Sequence, residues 1–569
     1  MSLHYLFSVE SASQHLLKIE LTIPASVVKK YASKNQLELQ FPAWRPGRYE
    51  LANFAKNLLN IRFSQGSSEL GYRKIHKDKF LVDLKGKEDL KIVYHYYAHE
   101  MNAGSTWVDE NQLYVNPVNC CMYILGAEEL PVTLSVKAPK SFKVATSLEK
   151  KGTKYKAASI HELMDSPFIA SNQLQHDSWE QSGVTFHLWF NGQVSPDTEK
   201  IKRDFKKYTA AQIKAFGKFP VDEFHYLFQI LPYKHYHGVE HLKSTVISLG
   251  PDYELMEKEL YESLLGVSSH ELYHVWNIKS IRPIEMHPYD YSQENYSRMG
   301  YLAEGVTTYM GDLMLLKGKV FSTERYLEEL TGLIQRHVDN FGRTNMSVAD
   351  SSYDTWLDGY TPGIPNRKVS IYNEGALIAF ICDVHIMKET KGSKSLSDVM
   401  RYLYEQYAKK SKGVSEEDYL NALNKVSGVD MSFIFDKFIN APADYLPEIK
   451  KALKTLGMKL AFNTCDNSYE THFGFKTDNQ SRPKIISIYP HSPAEKAGLH
   501  RGDELIAANN YLINNNLKSI FQQFKQDVTL TLNRQEKLLG VTLKKSGVWF
   551  RKPTITHNPE HHLFKKWRK

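Results

Sequence analysis

Through the first 190 residues apolar and polar side chains alternate with a period of two, as in Leu17-Ile19-Leu21-Ile23, Leu37-Leu39-Phe41, Val132-Leu134-Val136 and Val184-Phe186-Leu188-Phe190. Successive strand residues point to opposite faces, so this pattern builds sheets with one face in a core and the other in water. Pro46-Gly47, Lys85-Gly86 and Asn191-Gly192 mark turns between the runs. The spacing predicts an antiparallel β domain of sandwich type over residues 1–178, with the last run already serving the next domain.

From about residue 195 the spacing turns helical, broken by β-like pieces at Phe224–Leu231 and Thr245–Leu249. Helices are expected over 253–278, 297–316, 323–340, 370–388, 396–409 and 415–426, the last opening on the capping pattern Ser415-Glu416-Glu417-Asp418. Between them, residues 343–369 are polar and aperiodic, with Trp356, Tyr360, Pro362 and Gly363, and read as a long loop that could border a cleft. Short strands and turns return after residue 458. At 569 residues the chain exceeds one core. The expected architecture is multidomain α+β: an N-terminal β domain to 178, a mainly helical domain over 179–457, a β module over 458–546 and a basic tail over 547–569.

A formal charge of +8 is spread over 72 Lys and Arg against 64 Asp and Glu, which argues against nucleic acid as a partner. The one basic cluster, Lys565-Lys566-Trp567-Arg568-Lys569, reads as a solvated end. Cys120, Cys121, Cys382 and Cys465 are too few and scattered for a disulfide framework. No basic start with a long apolar run opens the chain, and no stretch reaches the roughly 20 apolar residues that span a bilayer. The expectation is a cytoplasmic protein without a membrane partner.

The string with chemical content is His270-Glu271-Leu272-Tyr273-His274. On a helix, histidines at i and i+4 share one face a turn apart, so both imidazoles can reach one Zn²⁺, and Glu271 between them can take a proton from a water. Leu260, Leu264, Leu265 and Val267 make the preceding turns apolar, as a buried helix needs. A third ligand is required. Glu304, on the next expected helix, is the candidate, and two His with one carboxylate leave a coordination position open, as catalytic zinc needs. His235, His237 and His241 form a competing cluster, and His557, His561 and His562 another, though the latter has no carboxylate beside a rigid helical pair.

Several segments together resemble the glycyl aminopeptidase family of gluzincin metallopeptidases. Ser268 to Lys279 is similar to that family's extended zinc helix, and Phe41-Pro42-Ala43-Trp44-Arg45-Pro46-Gly47-Arg48-Tyr49 to a signature of its N-terminal domain. His237-Gly238-Val239-Glu240-His241 resembles a Gly-Gly-Leu-Glu-His segment whose carboxylate holds the substrate ammonium, which implies substrate-binding roles for Glu240 and Gly238. Ile371-Tyr372-Asn373-Glu374-Gly375-Ala376-Leu377 resembles a Tyr-x-Lys-Gly-Ala stretch and implies an oxyanion donor at Tyr372. His472-Phe473-Gly474-Phe475 and Ser492-Pro493-Ala494-Glu495-Lys496-Ala497-Gly498-Leu499 resemble a PDZ domain, whose groove takes a peptide or C-terminus by strand addition.

The resemblance thus implies a thermolysin-like catalytic domain, one Zn²⁺ per chain on His270, His274 and Glu304, catalytic Glu271 and Tyr372, and peptide substrates shortened from the amino end. Two other readings are an endopeptidase with PDZ-recruited substrates and a non-catalytic peptide-binding protein. Tyr309 is a second, weaker oxyanion candidate that reads better as a core residue or a support to the site.

Overall fold

Leu16–Ile23 buries every second side chain and lies between Leu3–Ser11 and Leu90–Tyr97 in an eight-stranded sheet. The computed structural model containing it describes residues 2–360, 363–524 and 526–569. Leu17, Ile19, Leu21, Tyr94 and Phe168 sit at 0% exposure in the core between this sheet and its neighbours. The domain is β-rich as expected, but it is not purely antiparallel. Leu3–Ser11 pairs parallel with Val132–Lys137, an arrangement that a long connection allows and a tight hairpin cannot give.

Chain contacts divide the protein into two units, Met1–Tyr326 with Gly342–Tyr445 and Lys565–Lys569, and Leu327–Phe341 with Leu446–Phe564. In the first unit the β domain is followed by a five-stranded sheet: β1 (Gln175–Gln181), β2 (Val184–Asn191), β3 (Glu223–Ile230), β4 (His235–Glu240) and β5 (Ser244–Gly250), in the order β1-β2-β3-β5-β4. β3 and β5 are buried on both faces, while β4 is an antiparallel edge strand. The helices around it include α1 (Thr198–Phe216), α2 (Lys258–Tyr273), α3 (Thr307–Lys317) and α4 (Ile371–Glu389). Asp197 caps α1 by accepting the Lys200 N–H, and Ser370 caps α4 by accepting that of Asn373.

Three expectations need correction. The helix expected to run to 278 stops at Tyr273, and the chain then turns tightly, with Ile278 at φ 96°, a conformation that strains a β-branched residue. Residues 343–369 are not one long loop: Val348–Tyr353 and Thr355–Asp358 are short helices, the first capped by Ser347, and they are too short to show a period. Pro362 of that stretch lies outside the described residues. Nor is the basic end wholly solvated: Lys566 and Lys569 are exposed, but the chain around them is held. Arg551–His557 pairs antiparallel with Met458–Thr464 in the second unit. In the first unit Trp567 is 0% exposed, donating its indole N–H to the Tyr309 hydroxyl at 2.9 Å. The apolar Leu563, Phe564 and Trp567 are masked in sequence by the lysines around them.

One close approach carries the site. The wide helical turn Tyr301–Val306, which leads into α3, crosses the first turns of α4 where Gly305 meets Gly375. A Cβ on Gly375 would fall 2.7 Å from the Tyr301 carbonyl oxygen and 2.8 Å from the Gly305 Cα. Gly375→Ala is therefore expected to destabilise the protein by about 1–3 kcal/mol through forced backbone shifts. A melting temperature equal to wild type would refute that close approach.

In the second unit a four-stranded sheet and the two-stranded sheet of Phe475–Thr477 and Ile485–Ile488 pack on Phe473, Phe475, Leu505, Phe521, Leu530 and Leu532. Among the described residues no helix is long and apolar enough to cross a membrane.

Candidate metal centre

α2 ends at Tyr273, so His270 projects from its last turn and His274 from its C-cap. Their Nε2 atoms are 3.0 Å apart, and Glu304 Oε2 lies 3.8 Å from the first and 3.4 Å from the second. Four tetrahedral ligands on zinc bonds of 2.0–2.1 Å would stand about 3.3 Å apart, so three such atoms already converge at that spacing. His274 Nδ1 donates to the Asn277 carbonyl at 2.8 Å, which leaves the neutral ring's lone pair on Nε2, facing the centre. Asn277 is itself held by bonds from its amide to Leu302 O at 2.8 Å and to Thr307 Oγ1 at 3.0 Å, tying the turn after α2 to the segment bearing Glu304.

The electrostatics also suit a divalent cation. Glu240, Glu271 and Glu304 are 4%, 5% and 1% exposed, three carboxylates in one buried site. Glu271 Oε2 and Glu240 Oε1 are buried and, among the described residues, have no hydrogen-bond partner. Burial pushes the Glu271 carboxyl well above its ordinary range, with Glu240 and Glu304 adding to the rise. Burial disfavours the His274 imidazolium, yet Glu304, Glu240 and Glu271 outweigh it and push the ring up to about 10. Burial likewise opposes the Glu304 carboxylate, and His274 and His270 hold it well below the usual range. Those shifts show how much positive charge the three carboxylates demand, and the donor set fits zinc.

The remaining expected residues gather here. The ligand-capable atoms of Glu240, Glu271 and His274 lie within 4.8 Å of one another. Gly238, on β4, faces α2: a Cβ there would stand 2.2 Å from Glu271 Oε1, so only glycine leaves that carboxylate its place. Tyr372 lies in the first turn of α4, where desolvation and then the Glu304 carboxylate raise its phenol well above 10, keeping it an O–H donor. Tyr360, expected only as part of a polar loop, interacts with Tyr372 through its hydroxyl.

Of the competing histidines, His241 has another use. His241 Nδ1 donates to Asp165 Oδ1 at 3.1 Å. A cluster not considered from sequence, His187, Glu223 and His225, also has ligand-capable atoms close together. There the Trp189 indole donates to His225 Nδ1 at 3.2 Å, so the neutral ring keeps its proton on Nε2, the atom facing Glu223 at 3.7 Å. That ring is a donor and not a ligand.

Sequence reading missed three contributors. Asn277 lies unmarked within the zinc-helix stretch Ser268 to Lys279, Tyr49 stands only as the end of a domain signature, and Asp165 belongs to no motif. Asp165 Oδ1 accepts from Lys279 Nζ at 2.6 Å as well as from His241, and Oδ2 accepts from the Leu242 N–H at 2.9 Å, joining the β domain to the segments flanking the site. No sequence signal marks a lone aspartate for that work.

Residues 4–172 match the family model of the peptidase M61 N-terminal domain, and residues 263–378 that of the M61 glycyl aminopeptidase. In fold the chain is similar to an aminopeptidase N family protein from Idiomarina loihiensis, at 24% identity and a TM-score of 0.92 over 100% of both chains. It is also similar to a mutant M1 zinc metallopeptidase from Deinococcus radiodurans, at 12% identity and a TM-score of 0.50, covering 78% of this chain and 94% of that one. No curated protein matches the chain by sequence.

Proposed function

Since the chain is a metallopeptidase of the M61 glycyl aminopeptidase family, we propose that it is a zinc-dependent aminopeptidase removing N-terminal, small residues from peptides. The observation that carries this reading is the nearness of Glu240. A ligand-capable oxygen of its carboxylate lies within 4.8 Å of those of His274 and Glu271, so an ammonium held on it would sit beside the ligand set and favour attack at the first peptide carbonyl.

His270, His274 and Glu304 would hold one Zn²⁺, which supplies Lewis-acid polarisation of the scissile carbonyl and lowers the pKa of water. Glu240 binds the α-ammonium through a charge-assisted contact and sets which end of a peptide enters. Glu271 takes the proton of the attacking water and returns it to the leaving amine. Tyr372 donates to the oxygen on which charge develops, a bond that strengthens as the tetrahedral species forms. Gly238 keeps the edge strand close enough to Glu271 for these groups to share one substrate.

Residues 458–546 are read as a PDZ-like module, supported by the left-handed turn at Gly474, φ 77°, immediately before the strand Phe475–Thr477. A peptide carboxyl terminus is its proposed ligand. A cytoplasmic location fits four free cysteines, three of them buried.

The test is zinc content together with hydrolysis of a peptide in free and N-acetylated form. One zinc per chain and loss of cleavage on acetylation are expected. Rapid internal cleavage of the blocked peptide would replace this reading with an endopeptidase, and a zinc-free, inert protein would leave only peptide binding.

A further inference from the structure

The segment Phe41–Tyr49 belongs to the N-terminal β domain, yet it reaches the metal ligands. Trp44 anchors it: the indole N–H donates to Asp290 O at 2.7 Å, and the ring packs edge-on against Trp356 at 5.0 Å. Five residues on, the Tyr49 hydroxyl donates to Glu304 Oε1 at 3.2 Å, with Tyr49 3% and Glu304 1% exposed. The Glu304 oxygens thus divide their work. Oε2 faces both imidazoles at 3.8 and 3.4 Å, while Oε1 is occupied by the phenol. Tyr49 is fixed in turn, since its backbone N–H donates to the Tyr360 hydroxyl at 3.5 Å and its ring packs edge-on against Trp356 at 6.2 Å. Between Trp44 and Tyr49 the backbone of Gly47 lies against the anchor carboxylate: a Cβ there would fall 2.4 Å from Glu240 Oε2.

We propose that Tyr49 is a positioning residue for the metal centre, supplied by the N-terminal domain, which holds Glu304 with one oxygen turned to the two histidines. A carboxylate free to rotate presents either oxygen or both, and ordering it on binding weakens the site. One prepositioned by a buried phenol loses little entropy when the cation arrives. The metal centre is thereby complete only when the β domain is docked. This inference rests on the zinc reading above and extends it to a residue outside the helical domain.

Tyr49→Phe removes only the hydroxyl, so the packing on Trp356 is retained. Zinc affinity of the full-length protein, measured by competition with a chelator of known affinity, is expected to fall about 10- to 100-fold, the range typical when an outer partner of a ligand is lost. Added zinc should restore kcat for an amino-acid amide toward wild type with KM little changed, because Glu240 is untouched, whereas a merely structural defect would not respond to zinc. Wild type and variant holding zinc equally tightly, with the wild type binding one ion, would overturn this inference alone. A wild type that takes up no zinc would remove the metal reading and this inference with it.

Discussion

Glu271→Gln is expected to lower kcat by about 10²–10⁴-fold while leaving zinc content and KM near wild type, in line with what a positioned general base contributes. Glutamine keeps the shape but cannot accept the water's proton. The substitution is clean because the carboxylate is 5% exposed, has one oxygen without a hydrogen-bond partner among the described residues and touches the bare backbone of Gly238, so little else changes. Steady-state kinetics on an amino-acid amide, with metal analysis of the same preparation, checks it. Full activity in the variant would end the proposed role of Glu271.

Asp165→Asn is expected to cost about 3–5 kcal/mol of stability, the penalty for leaving a buried cation without its partner. Lys279 Nζ is 2.6 Å from Asp165 Oδ1, and their side chains are 2% and 19% exposed. Burial opposes both charges, but Lys279 and His241 hold the Asp165 carboxyl well below its usual range, and Asp165 raises the Lys279 ammonium above its own. The carboxylate's contribution is therefore complete above its unfolded pKa of about 3.9 and fades as pH falls toward the lower folded value. The ammonium's is complete below about 10.4 and fades only as pH rises through the higher folded one. Thermal melts of wild type should show a plateau between those limits and a decline on the acid side. In Asp165→Asn that acid decline should shrink, since the titrating group is gone. An unchanged melting profile would show that the pair contributes nothing net. Because the pair joins the β domain to the segments beside the ligands, the variant should also lose zinc more readily than wild type.

Much of the candidate site was legible because helices impose local spacing. His270 and His274 sit four positions apart, and a four-residue repeat on a helix is a statement about geometry that needs no tertiary information. Glu304, Glu240 and Tyr372 came from a plausible next helix and from family resemblance, and the fold gathers them around one centre. Tyr49 and Asp165 stayed hidden because each acts across a domain boundary, Tyr49 over 255 positions of sequence and Asp165 over 114. Periodicity reports which face of an element is buried, never which distant element covers it. Trp567 was misread for a related reason: six residues with lysines at i+3 and i+4 look solvated until the cavity that receives the indole is known.

Taken alone, the sequence determined the succession of a β-rich region, a mainly helical one and a return to short strands, the β-to-helix change near residue 195 and the pair of histidines with a base between them, because side-chain alternation and helical pitch are properties of a few consecutive residues. Tertiary structure alone decided that Glu304 turns a single oxygen to those histidines, that a glycine pair lets its helical turn approach α4, and that a tyrosine from the β domain completes the surroundings. Those outcomes depend on ångström-scale approach between segments far apart in the chain, and such approach is set by packing.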